Sequence, residues 1–316
     1  MTATTAPPRH IVLTGATGQI ASLMVRHLTP HHRLTLTSRT PRRTLRWPSI
    51  RHLACDYDDM ASIVDAFRGA DALFVVTNDP TRPEHDRNIV RAAVEVSVSH
   101  IVKLSAAAVR DGAAHDLITE WQRTNEDRIK SSGIPWTMIQ PRSFMSHALA
   151  WAPSIRSSGT THALHPHSRN ACIAPEDVAE VSARVLGEAR HHSHSYQVTG
   201  PQALSAHEQS AVLAEVLGRP LTCRELSREE AHLTHARKYS PVMADALIAS
   251  TERQLAGAKA DVTDTVERLT GRPATTFAQW AARHKHRFEG ERRPPRSAEP
   301  CPANGGVAGT PRLRCG

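Results

Sequence analysis

Short aliphatic and β-branched runs alternate with amphipathic stretches along the first half of the chain. His10–Thr14, Arg33–Ser38, Ile50–Cys55, Ala72–Thr77, His100–Ser105 and Pro135–Gln140 each read as a strand. Between them the pattern changes to helical spacing over Gly18–Leu28, Asp58–Phe67, Glu84–Val96 and Leu117–Ser131. Ile63, Val64 and Phe67 fall on one face of the second of these, and Ile89, Val90, Ala93 and Val94 on one face of the third. Gly133 ends the fourth. Parallel neighbours need a crossover, and right-handed crossovers carry helices, so the alternation predicts an α/β fold with a doubly wound parallel sheet. Further on, Pro175–Gly187 reads as a helix and Tyr196–Thr199 as one more strand. Helical patterns over 204–218, 227–238 and 261–270 then predict a smaller, mostly helical C-terminal lobe.

The first strand runs straight into Thr14-Gly15-Ala16-Thr17-Gly18-Gln19-Ile20, and a helix follows at once. That context gives a glycine pattern its chemical meaning. Gly15 can take tight-turn dihedrals, Gly18 lets backbone approach a pyrophosphate, and the helix N-terminus offers unpaired N–H groups to an anion. Ala21 stands where a third glycine is usual and is small enough for helix–strand packing. A carboxylate at the end of the second strand would bond an adenosine ribose hydroxyl. This chain has Ser38-Arg39 there, with Arg42 and Arg43 close behind, and its first acidic residue is Asp56. A guanidinium at Arg39 suits a 2′-phosphate, so the expected coenzyme is NADP(H). Asp56-Tyr57, placed to meet the adenine, together with Thr77-Asn78 and Ser105, end successive strands and converge on one crevice of a Rossmann sheet. The resulting division has a flexible N-terminus at 1–9 and an NADP-binding core at 10–142, to which 172–200 returns. A substrate lobe at 143–171 and 201–288 and a disordered basic tail at 289–316 complete it.

Charge changes this picture little. Residues 1–55 hold eight Arg and no acid, and 283–316 hold eight basic against three acidic residues. Of the net +8 these two ends therefore take thirteen, which leaves 56–282 at −5. A basic coenzyme end explains this better than nucleic acid does. Five Cys without a C-x-x-C pair, an N-terminus without a long apolar region and the lack of a long apolar run predict a reduced cytoplasmic protein away from membranes. His162, His165, His167, His191, His192 and His194 lie in loops without a matching Cys or carboxylate pattern, so no metal site is expected.

Together these stretches resemble the NmrA-like family of atypical short-chain dehydrogenases. The resemblance also rests on Cys55-Asp56-Tyr57, His100-Ile101-Val102-Lys103-Leu104-Ser105, Glu126, Ser132-Gly133-Ile134-Pro135-Trp136-Thr137 and Pro141-Arg142-Ser143-Phe144-Met145. Ile173-Ala174-Pro175-Glu176-Asp177-Val178-Ala179, Tyr196-Gln197-Val198-Thr199-Gly200-Pro201 and Gly271-Arg272-Pro273-Ala274-Thr275-Thr276-Phe277 extend it over about residues 10–288. It implies that Arg39 selects NADP, that Ser143-Phe144-Met145 lie beside the nicotinamide, and that the substrate cleft opens between core and lobe. Quinone-reductase-like members carry His where this chain has Gln122.

A Tyr-x-x-x-Lys proton donor is absent: Ala61, Gly200 and Met243 stand four residues after the three tyrosines. Reduction of a quinone-like, aromatic or conjugated carbonyl acceptor needs no such donor, since its oxyanion is a weak base and NADPH carries the chemistry. The expected activity is hydride transfer to such a small-molecule acceptor, in detoxification or natural-product tailoring, with Lys103, Gln122 and Ser105 as polar contacts. The alternative is a redox sensor that binds NADP(H) and signals through a protein partner. A homo-oligomer is compatible with either.

Overall fold

The computed structural model describes residues 8–41 and 49–289. Arg42, Arg43, residues 1–7 of the expected flexible N-terminus and 290–316 of the expected tail lie outside them. Seven parallel strands form the central sheet: β1 His10–Leu13, β2 Arg33–Ser38, β3 Ile50–Ala54, β4 Ala72–Val75, β5 His100–Leu104, β6 Trp136–Pro141 and β9 His194–Val198. Their order is β3-β2-β1-β4-β5-β6-β9, so the winding reverses between β1 and β4. The expected Rossmann-like doubly wound sheet is the fold observed.

Strand periodicity sorts the core into two layers. Ile11 and Leu13 face α1 (Gln19–Leu28) and α6 (Pro175–Gly187), where Met24, Leu28, Val178, Val181 and Val185 pack on them. Val12, Leu73 and Ile101 face α2 (Met60–Phe67), α3 (Pro83–Glu95) and α4 (Leu117–Lys130), through Ile63, Phe67, Ile89 and Ile129. Helices on both faces explain why β1, β4 and β5 are buried at every position.

The amino ends of the strands carry a device used twice. His10 and His100 each open a His-Ile-Val run, and each ring Nε2 lies within hydrogen-bond reach of a threonine on the next strand. The distances are 2.8 Å to Thr35 Oγ1 and 2.9 Å to Thr137 Oγ1.

Residues between Met145 and Phe288 form a separate apolar cluster, with Ile155 of α5 (Ala152–Ser158) and Leu213 of α7 (Ala206–Leu217). Phe277 and Trp280 of α11 (Phe277–Arg283) and Phe288 of α12 (Lys285–Glu289) close it. Two small ribbons border the cluster. β7 (Thr160–Ala163) pairs in parallel with β11 (Thr222–Glu225), and β8 (Arg169–Asn170) pairs antiparallel with β10 (Leu204–Ser205). α8 (Arg228–Ala236) and α9 (Pro241–Leu255) pack side by side, and α10 (Thr265–Thr270) lies on α6. The expected helix over 261–270 is thus confined to its second half. α9 has no counterpart in the sequence reading because it buries Ala244, Ala246 and Ile248 while Val242 and Leu255 are exposed, which blurs its apolar stripe. Buried Asp177 ties the chain's end to α6, accepting from Thr275 N at 2.7 Å, Thr275 Oγ1 at 2.9 Å and Arg272 Nη2 at 2.8 Å.

Candidate active site

The turn after β1 is held from three sides. Thr14 N donates to Phe74 O at 3.0 Å, Ala16 N to Thr37 O at 3.1 Å, and Val76 N to Thr14 Oγ1 at 2.8 Å. Gly15 has φ +59°, a left-handed conformation that costs an L side chain energy, and a Cβ there would meet Val76 Cγ1 at 2.8 Å. A Cβ on Gly18 would stand 3.0 Å from Gly15 O, so a side chain at either position would crowd the turn itself. Tyr57 reaches in from beyond β3, and its hydroxyl oxygen accepts from Gly15 N at 3.3 Å. Burial raises the pKa of this phenol, so it stays neutral under the turn.

Helix α1 begins at Gly18 with no side-chain cap and no acidic residue in its first turn. Five other helices are capped by side chains, Asp59 on α2, Asp116 on α4, Ser205 on α7, Ser227 on α8 and Thr276 on α11, whereas α3, α5, α6, α9 and α10 are uncapped like α1. At α1 the unpaired N–H groups and the positive end of the helix dipole are left for an anion at the switch point of the sheet. Thr17, Gly18 and Gln19 are exposed there, while Ile20 and Ala21 anchor the helix in the core. The donor set and exposed turn fit a dinucleotide pyrophosphate.

The other expected coenzyme residues line the same edge. Arg39 is exposed just after β2, and Ser38 Oγ donates to Thr40 O at 2.9 Å and lies 2.9 Å from His52 Nε2. Asp56 is exposed beyond β3. Asn78 is exposed beyond β4, and Thr77 Oγ1 donates to buried Asp86 at 2.7 Å. Ser143 and Phe144 follow β6, and Phe144 bridges to Ile173. Ser146 Oγ donates to Gln19 Oε1 at 2.9 Å, which closes the gap between the glycine turn and the segment after β6.

Lys103 and Gln122 come together, but in the interior. Lys103 is fully buried rather than facing solvent from its strand; its Nζ donates to Leu104 O at 2.5 Å and to Gln122 Oε1 at 3.1 Å. Its ammonium lies 5.6 Å from the centre of the Trp121 ring, and Trp121 Nε1 donates to Asp86. Burial lowers the lysine pKa, opposed by the charges of Asp86 and Glu126. Ser105 is similarly engaged: its hydroxyl donates to Glu126 Oε1 at 2.6 Å, while Gln140 and Lys130 also donate to that carboxylate. Its proton is therefore committed, and its remaining capacity is to accept. A cavity of about 460 Å³ borders this network and is lined by Arg110, Arg123, Glu126, Lys130 and Gln140.

Sequence reasoning missed the polar wall behind Ser143. Asn170 Nδ2 donates to Ser143 Oγ at 3.0 Å and to Gln254 Oε1 at 2.9 Å. These three residues are far apart in sequence, and no motif joins them. The only grouping of three potential metal ligands among the described residues is Asp58, Glu84 and His85, outside the His-rich loops. Arg82 already pairs with Asp58 at 2.7 Å and with Glu84 at 3.1 Å. Among the described residues no helix is long and apolar enough to cross a membrane.

Comparison with known proteins agrees with this geometry. Residues 15–189 match the model of a family described as NAD(P)H-binding. The chain is 44% identical over 282 residues to a (4-alkanoyl-5-oxo-2,5-dihydrofuran-3-yl)methyl phosphate reductase of Streptomyces griseus, covering 89% of this chain and all of that one. It is 31% identical to an NAD(P)H azoreductase of Xenophilus azovorans, over 88% of this chain and 99% of the relative. Among solved structures, an NADPH-dependent quinone oxidoreductase of Escherichia coli in complex with NADPH superposes with a TM-score of 0.77 at 25% identity, over 86% of this chain and 99% of that one. The chain belongs to the NAD(P)H-binding family, among its NmrA-like members, and is an NAD(P)H-dependent oxidoreductase.

Proposed function

We propose that the protein reduces the carbon–carbon double bond of a conjugated carbonyl acceptor, with an acyl butenolide as the favoured class and quinones as simpler substitutes. The observation that carries this reading is the full-length 44% relative, whose name specifies a ring double bond conjugated to two carbonyls. When bound, NADPH supplies a hydride from its nicotinamide ring. Addition at the β-carbon of such an acceptor leaves an enolate spread over two carbonyl oxygens, a weak base that water can protonate. This chemistry fits a chain with no Tyr-x-x-x-Lys pair and with the protons of Ser105 and Lys103 already engaged.

The chain's own task is then to bind and orient. The glycine turn with Thr17, Gly18, Gln19 and Ile20 holds the pyrophosphate; Ser38 and Arg39 take the 2′-phosphate, making the coenzyme NADP(H); and Asp56 borders the adenine with Tyr57 beneath the turn. Thr77, Asn78 and Ser105 border the nicotinamide ribose side. Ser143 and Phe144 flank the nicotinamide, and the C-terminal cluster roofs the acceptor as a substrate lobe. Lys103 and Gln122 act as a positioning pair that braces the end of β5. The setting is cytoplasmic, with a role in natural-product tailoring. A coenzyme-binding regulator without turnover is not favoured, because the full-length relatives are named as reductases.

The test is to follow NADPH absorbance with purified protein and a panel containing an acyl butenolide, simple enones, quinones and saturated ketones. Conjugated acceptors should be consumed and saturated ketones left untouched. Reduction of the ketones, or no turnover while NADP and NADPH bind with unequal affinity, would overturn the reading.

A further inference from the structure

Among the described residues, Lys259 in the C-terminal lobe has no carboxylate partner. Lys259 follows α9 in a turn whose backbone docks on the segment after β8: Ala171 N donates to Lys259 O at 2.9 Å. The side chain is half-buried, and its ammonium donates to Ser250 Oγ at 2.7 Å. Among the described residues no carboxylate lies within ion-pair distance of it. Its neighbour Arg253 differs, pairing with Asp116 at 2.8 Å and Asp111 at 3.3 Å. Arg142, also close to Lys259, has a buried Nε without a partner, with Asp261 and Asp111 in its surroundings.

The direction in which this charge is available follows from its neighbours. Asn170, beside the docked turn, bonds Ser143 on one side and Gln254 on the other, and its buried Oδ1 is unpartnered. Lys259 thus belongs to the wall that continues from Ser143 and Phe144. His147 stands on the same side: its ring packs edge-on against Phe144 with centroids 5.9 Å apart, is accessible, and feels the charges of both Lys259 and Lys238. Burial and the Arg253 charge lower the Lys259 pKa to about 8, so a neighbouring anion would relieve the cost of the ammonium.

We propose that Lys259, with Arg142 behind it and Lys238 at the rim, forms an anion subsite of the acceptor cleft that binds a phosphomonoester carried by the acceptor. This rests on the acceptor reading above and adds a specificity device to it. Arg39 would hold the coenzyme's phosphate at one end of the crevice, and Lys259 the acceptor's phosphate beyond the nicotinamide. The subsite acts on binding alone and takes no part in bond making.

The experiment compares an acyl butenolide carrying a phosphooxymethyl group with the same butenolide carrying a free hydroxymethyl group. Loss of a charge-assisted contact in Lys259→Gln should raise KM for the phosphorylated acceptor roughly tenfold or more, against little change for the alcohol, with NADPH affinity retained. Lys259→Arg should restore most of the preference. Methyl phosphate should inhibit the wild-type protein competitively against the phosphorylated acceptor, and Lys259→Gln should weaken that inhibition. Equal losses for both acceptors, above all in kcat, would mark Lys259 as a general structural or proton-donating group and overturn the subsite. If neither butenolide is reduced, the acceptor reading fails by itself. Methyl phosphate binding, followed by phosphorus NMR on wild type and Lys259→Gln, then judges the subsite, and equal binding to both overturns it.

Discussion

The two edges of the central sheet are built on opposite principles. At the amino edge, polar groups turn towards one another inside the protein, although His100 Nδ1 is buried without a hydrogen-bond partner. His10 lies against Gly69 O and Thr35, its backbone N–H donates to Asp71, and His100 is held to Thr137, whose own hydroxyl donates to His191 O. At the carboxyl edge the glycine turn is fixed by Thr14, Thr37 and Tyr57 from below, yet its upper face, the start of α1 and Arg39 are left open. One edge turns its polar groups inward; the other is rigid and leaves the start of α1 and Arg39 exposed, as the proposed coenzyme site requires. Substitutions should therefore separate cleanly, with changes at the amino edge moving stability and changes at the carboxyl edge moving affinity.

The largest expected effect is at the amino edge. His100→Ala removes a fully buried ring and leaves Thr137 without that contact. It should cost about 3 kcal/mol in urea denaturation, with NADPH affinity in the surviving folded protein unchanged. A matching loss of coenzyme affinity would break the comparison. Next is Arg39→Ala, expected to weaken NADP binding by about 1.5–3 kcal/mol, with NAD binding and the denaturation midpoint unmoved. Calorimetry with both coenzymes checks this, and equal losses would reject Arg39 as the phosphate reader.

A third expectation concerns pH. Burial, with smaller contributions from His192, Arg9 and His191, depresses the His100 pKa from 6.5 to about 3. The unfolded chain therefore binds a proton that the folded chain refuses. Stability from this group is complete above pH 6.5 and is lost as pH falls towards 3, with a slope that approaches about 1.4 kcal/mol per pH unit. His100→Gln should flatten that slope in denaturation series across the window. The smallest effect is Tyr57→Phe, which removes the acceptor for Gly15 N. It should cost about 1 kcal/mol or less in stability and, through the turn proposed to hold the pyrophosphate, lower NADPH affinity several-fold.

The same contrast explains what was legible in the sequence. The glycine turn and Arg39 are local: strand, turn, helix start and next strand end fall within one short stretch, and backbone geometry follows from residue type. The strand ends at Asp56, Thr77 and Ser105 were readable because the alternating pattern fixes where each strand stops. The Lys103–Gln122 contact was not, since it depends on how α4 packs over β5, and a lysine within a strand pattern gives no sign of which way it turns. Nor was the wall of Asn170, Gln254 and Lys259. It joins β8, the end of α9 and the turn after it, and the buried face of α9 is largely alanine. The repeated His-Ile-Val was visible in the sequence and could have suggested paired strand starts, but only the register, with Thr35 beside Val12 and Thr137 beside Val102, brings each threonine within reach of its histidine.

The central claim is that the open edge presents NADPH to a conjugated double bond. It is tested most directly with NADPH deuterated, in separate samples, on each face of the nicotinamide C4, reacted with an acyl butenolide and examined by NMR. The account predicts deuterium from one face only, placed on the β-carbon of the reduced ring, with both carbonyls intact. Deuterium on a newly formed carbinol carbon, or none in the product, would contradict it.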